Sequence, residues 1–139
     1  LKWELNAPCT VWSANASYPN SFMSDFRDRL HLTEMLEAIA DLESDTAAIT
    51  KAEWAENGSL VRAVSMSLIA LGEGAVQLSD DARAKAPDVP WRAMIGLRNR
   101  LAHAYARADR DVIWDAAALH APVIREELKR LLVSLSDPD

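Results

Sequence analysis

The stretch SLVRAVSMSLIALGEGAVQLS, residues 59–79, decides the fold. Its apolar side chains run almost all the way round a helical wheel, interrupted most strongly by Arg62, Glu73 and Gln77. A helix that is apolar on nearly every side has no face to give to water and belongs in the middle of a bundle. The segments on either side fit that placement. SDFRDRLHLTEMLEAIADLE, residues 24–43, opens on a capping signal, Ser24 followed by the acidic Asp25 and Asp28. The spacing Phe26, Leu30, Leu32/Thr33, Leu36/Glu37, Ile39/Ala40 predicts an amphipathic helix to about Glu43. KAEWAEN, residues 51–57, predicts a short helix ending at Asn57-Gly58. Pro87 and Pro90 bracket a turn, and Pro90 stands just before a helix from Trp91 to about Arg107. Asp109 caps a short helix over 111–120, and Pro122 opens the last one, 123–135, with Leu128, Leu131, Leu132 and Leu135 on one side. The fold class is all-α: an antiparallel bundle of five to six helices with short connections.

The chain of 139 residues holds one such domain, and half of its residues are apolar with four glycines, which favours helices over a sandwich or barrel. Residues 1–22 differ from the rest, with prolines, asparagines and tryptophans and no helical period. They read as an N-terminal extension of unclear origin, with Met23 offering a native start and 23–139 forming the helical domain. Cys9 stands alone, so no internal disulfide forms, and no Cys/His cluster has zinc-ligand spacing; neither metal nor cofactor is expected. No stretch approaches the roughly 18 apolar residues of a membrane span, and the N-terminus lacks a basic segment followed by a hydrophobic run. The sequon at Asn15 therefore carries little weight, and the protein reads as cytoplasmic, with no membrane partner. Net charge is −6, which excludes a general nucleic-acid coat, but the charge is unevenly distributed. Residues 91–110 carry Arg92, Arg98, Arg100, Arg107 and Arg110 against Asp109 alone, a local positive field suited to a phosphate-bearing ligand.

Within that basic segment one arginine is out of place. On a helix turning 100° per residue from Trp91, the residues Met94, Ile95, Leu97, Leu101, Ala102 and Ala104 share one broad apolar arc. Arg98 falls inside it with Tyr105 beside it, while Gly96, Asn99 and His103 form a separate polar strip. A charge on a buried face persists only when paired, and Glu73 is the one carboxylate in the central helix. One reading is a buried Arg98–Glu73 bridge that fixes helix register. The other is chemical: an arginine holds a phosphate bidentately and a histidine near neutrality moves a proton, the pair needed when an RNA 2′-hydroxyl attacks its own phosphate. Arg98 and His103 stand about 140° apart on one helix, so a single copy presents them poorly. A two-fold dimer of the same helix would gather two of each, with Gly96 allowing close approach. His31 and His120 read as ordinary surface residues.

RNRLAHAY, residues 98–105, preceded by PWRAMIGL and, upstream, by ALGEGAVQLS, resembles the HepT-like branch of the HEPN superfamily. The resemblance runs from about Met23 to Leu132 and is densest over Pro90–Tyr105. It implies a bundle that dimerises around the motif helix and cleaves RNA without a metal, as the toxin half of a toxin–antitoxin pair. The implied partner is a small MNT-type nucleotidyltransferase antitoxin. Carried over by position, Arg98 holds the scissile phosphate, His103 is the acid–base group and Asn99 orients one of them. Tyr105 matches the tyrosine that the antitoxin modifies with AMP, and Glu73 matches the "GE" acid, with a structural role favoured. The chain departs from the pattern at Ala104, where many members carry an acid, and at ARADR after Tyr105, in place of an aromatic- and glycine-rich run. The alternative from a different class is a non-catalytic helical module that binds a nucleotidyltransferase or a nucleotide.

Overall fold

The computed structural model describes residues 20–136, and every regular element among them is helical. Cys9 and the sequon lie outside these residues. Helix α1 spans Asn20–Thr46, α2 Lys51–Glu56, α3 Gly58–Gln77, α4 Asp80–Ala84 and α5 Trp91–Ala104. A 3₁₀ turn, Tyr105–Arg107, leads to α6, Arg110–Asp115, a π-helical turn, Ala116–His120, and α7, Ala121–Ser136. With α6, the π turn and α7 counted as one rod, the described residues form six helices.

Helix α3 lies at the centre, packed on α1 along one side and on α5 along another. It buries Val61, Val64, Leu68, Leu71 and Ala75, which accounts for its composition as that of a core helix. In length and hydropathy α3 is sufficient to cross a bilayer, contrary to the sequence reading, and the described residues hold one such helix. Arg29 of α1 donates to the carbonyl of Leu135, while Arg125 of α7 pairs with Glu43, so α1 and α7 run antiparallel. Asn57 serves two helices at once. Its N–H closes α2 on the Trp54 carbonyl, and its side-chain oxygen accepts from Leu60 N to start α3. Trp54, fully buried, meets Trp114 at 5.4 Å between ring centroids and ties α2 to α6.

Four details differ from the sequence reading. Ser24 does not cap α1, which already includes Asn20; most of the N-terminal extension expected over 1–22 lies outside the described residues. The buried stripe of α1 is Asp28, Leu32, Met35, Ile39 and Leu42, whereas Phe26 and Leu30 are half exposed. Asp28 can occupy that stripe because its two carboxylate oxygens accept from Ser79 N at 2.9 Å and Ser79 Oγ at 2.6 Å. Helix α5 stops at Ala104, whose backbone (φ −155°, ψ 47°) leaves the helical region.

The fourth difference concerns Pro122, which does not open the last helix but sits inside a continuous one. A proline inside an α-helix leaves the carbonyl four residues earlier without its donor and crowds it. Here the backbone widens just before the ring, and the Ala121 N–H donates to Ala116 O, five residues back.

Candidate functional site

The motif helix α5 is anchored at its start by Trp91, whose indole N–H donates to the carbonyls of Ala86 (3.0 Å) and Arg83 (3.2 Å). Met94 and Leu101 bury its inner face. Between them Arg98 crosses onto α3. A Cβ placed on Gly72 would lie 2.3 Å from Arg98 Cβ and 2.9 Å from the Met94 carbonyl oxygen. Only a residue without a side chain admits Arg98 at that distance. Gly74 does the same for α1, where a Cβ would lie 2.2 Å from Met35 Cγ. The GEG of the central helix is therefore two close approaches flanking one carboxylate.

That carboxylate holds the arginine. Arg98 Nη2 donates to Glu73 Oε2 at 2.6 Å, and Nη1 donates to Asn99 Oδ1 at 2.7 Å. Glu73 Oε1 accepts from Gln77 Nε2 at 3.1 Å. The Gln77 amide and then the Arg98 guanidinium hold the Glu73 carboxyl below the usual carboxylate range, with His31 adding a weaker field and burial opposing them. The pair is not buried as the sequence suggested: Arg98 is 31% exposed and Glu73 43%. Apolar neighbours surround the stem while the charged end stays at the rim, so the desolvation cost of an interior bridge is largely avoided. Arg98 Nε is buried against the helix seam without a hydrogen-bond partner.

His103 faces elsewhere. It is exposed in the last turn of α5 and lines a cleft of about 510 Å³ together with Asn99, Arg100 and Arg107. Asn99 belongs to both groups: its oxygen fixes Arg98, and its side chain borders the histidine's cleft. Arg98 does not line the cleft, so within one chain the arginine and the histidine do not converge on a common point. Tyr105 does not lie beside Arg98 on an apolar face, because the helix has ended one residue earlier; it sits on the 3₁₀ turn, 39% exposed. Gly96 meets nothing within 4 Å. No group of three or more His, Cys, Asp or Glu side chains with metal-binding potential occurs among the described residues.

Two residues escaped the sequence reading. Gly72 is one, and its signal was available: a glycine inside a helix weakens it by roughly 1 kcal/mol and calls for a packing reason. His120 is the other only in part: it is exposed, as the sequence reading had it, but it also borders a second pocket of about 400 Å³ that shares Leu97, Arg100 and Val112 with the histidine cleft.

A Ribonuclease HepT-like family model matches residues 35–131. The chain is 34% identical over 98 residues to "Putative RNase MJ1380" of Methanocaldococcus jannaschii, covering 70% of this chain and 90% of that one. It is 30% identical over 111 residues to "Putative RNase MJ0127" of the same organism, covering 80% and 92%. It is 28% identical over 101 residues to "Probable ribonuclease HepT" of Thermococcus cleftensis, covering 73% and 92%. No solved structure matches the chain. With the family model, these relatives and an all-helical bundle in agreement, the chain belongs to the HepT-like family of the HEPN superfamily.

Proposed function

We propose that the protein is a metal-independent endoribonuclease, the toxin of a toxin–antitoxin pair, acting in the cytoplasm as a homodimer built around α5. The observation that carries this reading is the cleft at the end of the motif helix, where an exposed His103 stands with Asn99, Arg100 and Arg107. Two arginines there attract the backbone of a single RNA strand, and the histidine is free to exchange a proton.

The reaction needs a base on the 2′-hydroxyl, an acid on the departing 5′-oxygen and a cation on the phosphorane. In the dimer, one His103 takes the 2′ proton as the 2′-oxygen bonds to phosphorus. The P–O5′ bond then breaks, and the second His103 protonates the leaving oxygen, giving a 2′,3′-cyclic phosphate and a 5′-hydroxyl. Arg98, fixed by Glu73 and Asn99, reaches the phosphate bound by the partner subunit. The strip Gly96, Asn99, His103 is the face that meets its copy, and the open space at Gly96 supports close approach.

The antitoxin in this reading is an MNT-type nucleotidyltransferase that transfers AMP from ATP to the Tyr105 hydroxyl, with pyrophosphate as the leaving group. That hydroxyl lies on an exposed turn between cleft residues Ala104 and Arg107. The added negative charge would neutralise the neighbouring arginines and repel RNA. A second reading, a non-catalytic module that binds a nucleotidyltransferase or nucleotide, is favoured by the net charge of −6. RNA cleavage by purified wild type and His103→Ala in EDTA, with oligomeric state measured for both, separates them. Cleavage lost in the variant alone supports the nuclease. No cleavage by an intact dimer whose Tyr105 is unmodified by mass spectrometry supports the binding module.

A further inference from the structure

The second pocket, about 400 Å³, lies between α3, α5 and the rod formed by α6, the π turn and α7, with apolar walls from Leu68, Leu71, Met94 and Ile124. Its volume falls in the range of small-ligand sites, and it is apolar with a few polar groups at the edge, the pattern of a site that orients one small planar molecule. Two of those groups are Asp115, just before the π turn, and His120, its last residue. In a regular α-helix residues five apart point about 140° away from each other. The wider i→i+5 turn narrows that angle, and both residues border the same pocket. Neither side chain has a hydrogen bond or ion pair among the described residues. The Lys51 ammonium, to whose charge Asp115 contributes a coulombic attraction, is paired with Asp111 at 2.8 Å.

The pocket adjoins the acid–base cleft. Leu97, Arg100 and Val112 line both, and Arg100 is the cation at the junction. A strand whose scissile phosphate occupies the cleft would pass a phosphate across Arg100 and set the adjoining base against the apolar walls. Single-stranded RNA is read in this way, through unstacked bases held on apolar surfaces and hydrogen-bonded on their edges.

We propose that this pocket is the base-recognition slot of the RNA substrate and that Asp115 and His120 select guanine in it; the proposal rests on the ribonuclease reading above. An ionised carboxylate only accepts, with two oxygens side by side. Guanine presents two adjacent donors on its Watson–Crick edge, N1–H and the 2-amino group, with the O6 acceptor next to them. Asp115 takes the donors and an imidazole N–H of His120 gives to O6. Adenine, cytosine and uracil each offer a carboxylate a single donor group on that edge. The π turn, which the sequence accommodates through Pro122, is thus the element that sets specificity.

The test uses short oligouridine strands carrying one guanine, adenine or cytosine, cleaved by wild type, Asp115→Asn and His120→Ala. Wild type is expected to cut beside guanine about tenfold or more faster than beside the other bases, the discrimination one good edge contact gives. Both variants are expected to lose that preference while still cutting. Cleavage by wild type that ignores the base, or a guanine preference that survives both substitutions, overturns the slot. If wild type cuts no RNA, the ribonuclease reading fails and the slot is judged separately by titrating GMP and UMP, followed by NMR. Shifts at the Met94 methyl with GMP alone, lost in Asp115→Asn, keep the slot; equal or absent responses to the two reject it. Neither side chain has a hydrogen bond or ion pair among the described residues, and thermal melts confirm that the variants remain folded.

Discussion

The two sides of α5 are built to opposite rules. On the α3 side every feature is fixed: a glycine cut to the shape of an arginine stem, a carboxylate on one guanidinium nitrogen, an asparagine oxygen on the other, and a glutamine holding the carboxylate. On the cleft side His103, Arg100 and Arg107 are exposed and carry no ion pair among the described residues. Helix α5 and the 3₁₀ turn after it thus combine a fixed frame with an open edge, and Asn99 joins them. The difference teaches that Arg98 is held in place by its neighbours while His103 is left exposed, a division that suits the proposed roles of a positioned cation and an acid–base group.

The largest expected effect breaks the open side alone. His103→Ala should lower RNA cleavage by about 10²–10⁴-fold, the range for loss of a general acid–base group, with an unchanged melting temperature because the side chain is exposed. A variant that cuts as wild type does would remove the histidine from the mechanism. The next largest breaks the fixed side. Gly72→Ala drives a methyl into Arg98 and the Met94 carbonyl, and chemical denaturation should report a loss of about 1–3 kcal/mol with cleavage falling alongside. Equal stability would mean that α3 and α5 separate freely.

A smaller effect loosens the clamp without touching the helix seam. Glu73 has a carboxyl held below its ordinary range, so the stabilisation it adds is fully present above that range and disappears as pH falls through the lowered value. Glu73→Gln should therefore be slightly less stable than wild type at neutral pH and match it in acid, as stability measured against pH would reveal. A difference that persisted at low pH would assign Glu73 another role. The smallest effect contrasts the two glycines of the site. Gly96→Ala meets nothing and should stabilise the protomer by roughly 0.5–1 kcal/mol through helix propensity. If α5 meets its copy there, the same change should weaken self-association in analytical ultracentrifugation. No change in association would move the proposed dimer contact elsewhere.

How much of this was legible beforehand follows from what each residue depends on. The central helix was legible because burial on all sides leaves a composition that no other placement tolerates, and the Arg98–Glu73 pairing was legible as one of two readings, because a charge on a core-facing helix position calls for a partner. The order of residues also recorded the family, since Pro90-Trp91, Ile95-Gly96, Arg98-Asn99, His103 and Tyr105 stand in sequence along one helix and its end. The buried stripe of α1 was not legible, because choosing Asp28 over Phe26 as an inward residue requires knowing that Ser79 waits opposite with two donors. Nor was the end of α5: Ala104 is a strong helix former, yet its backbone leaves helical geometry.

By itself, then, the sequence determined the fold class, the central helix and the identity of the motif helix, because hydrophobic period, caps and turn residues are local and act within a few positions. Tertiary structure alone decided that the charged pair lies at the rim, that Gly72 is cut to the arginine, and that a π turn ahead of Pro122 turns Asp115 and His120 onto one pocket. Each of these depends on the distance between segments far apart in the chain or on how a helix absorbs a missing donor, and neither leaves a periodic trace in the order of residues.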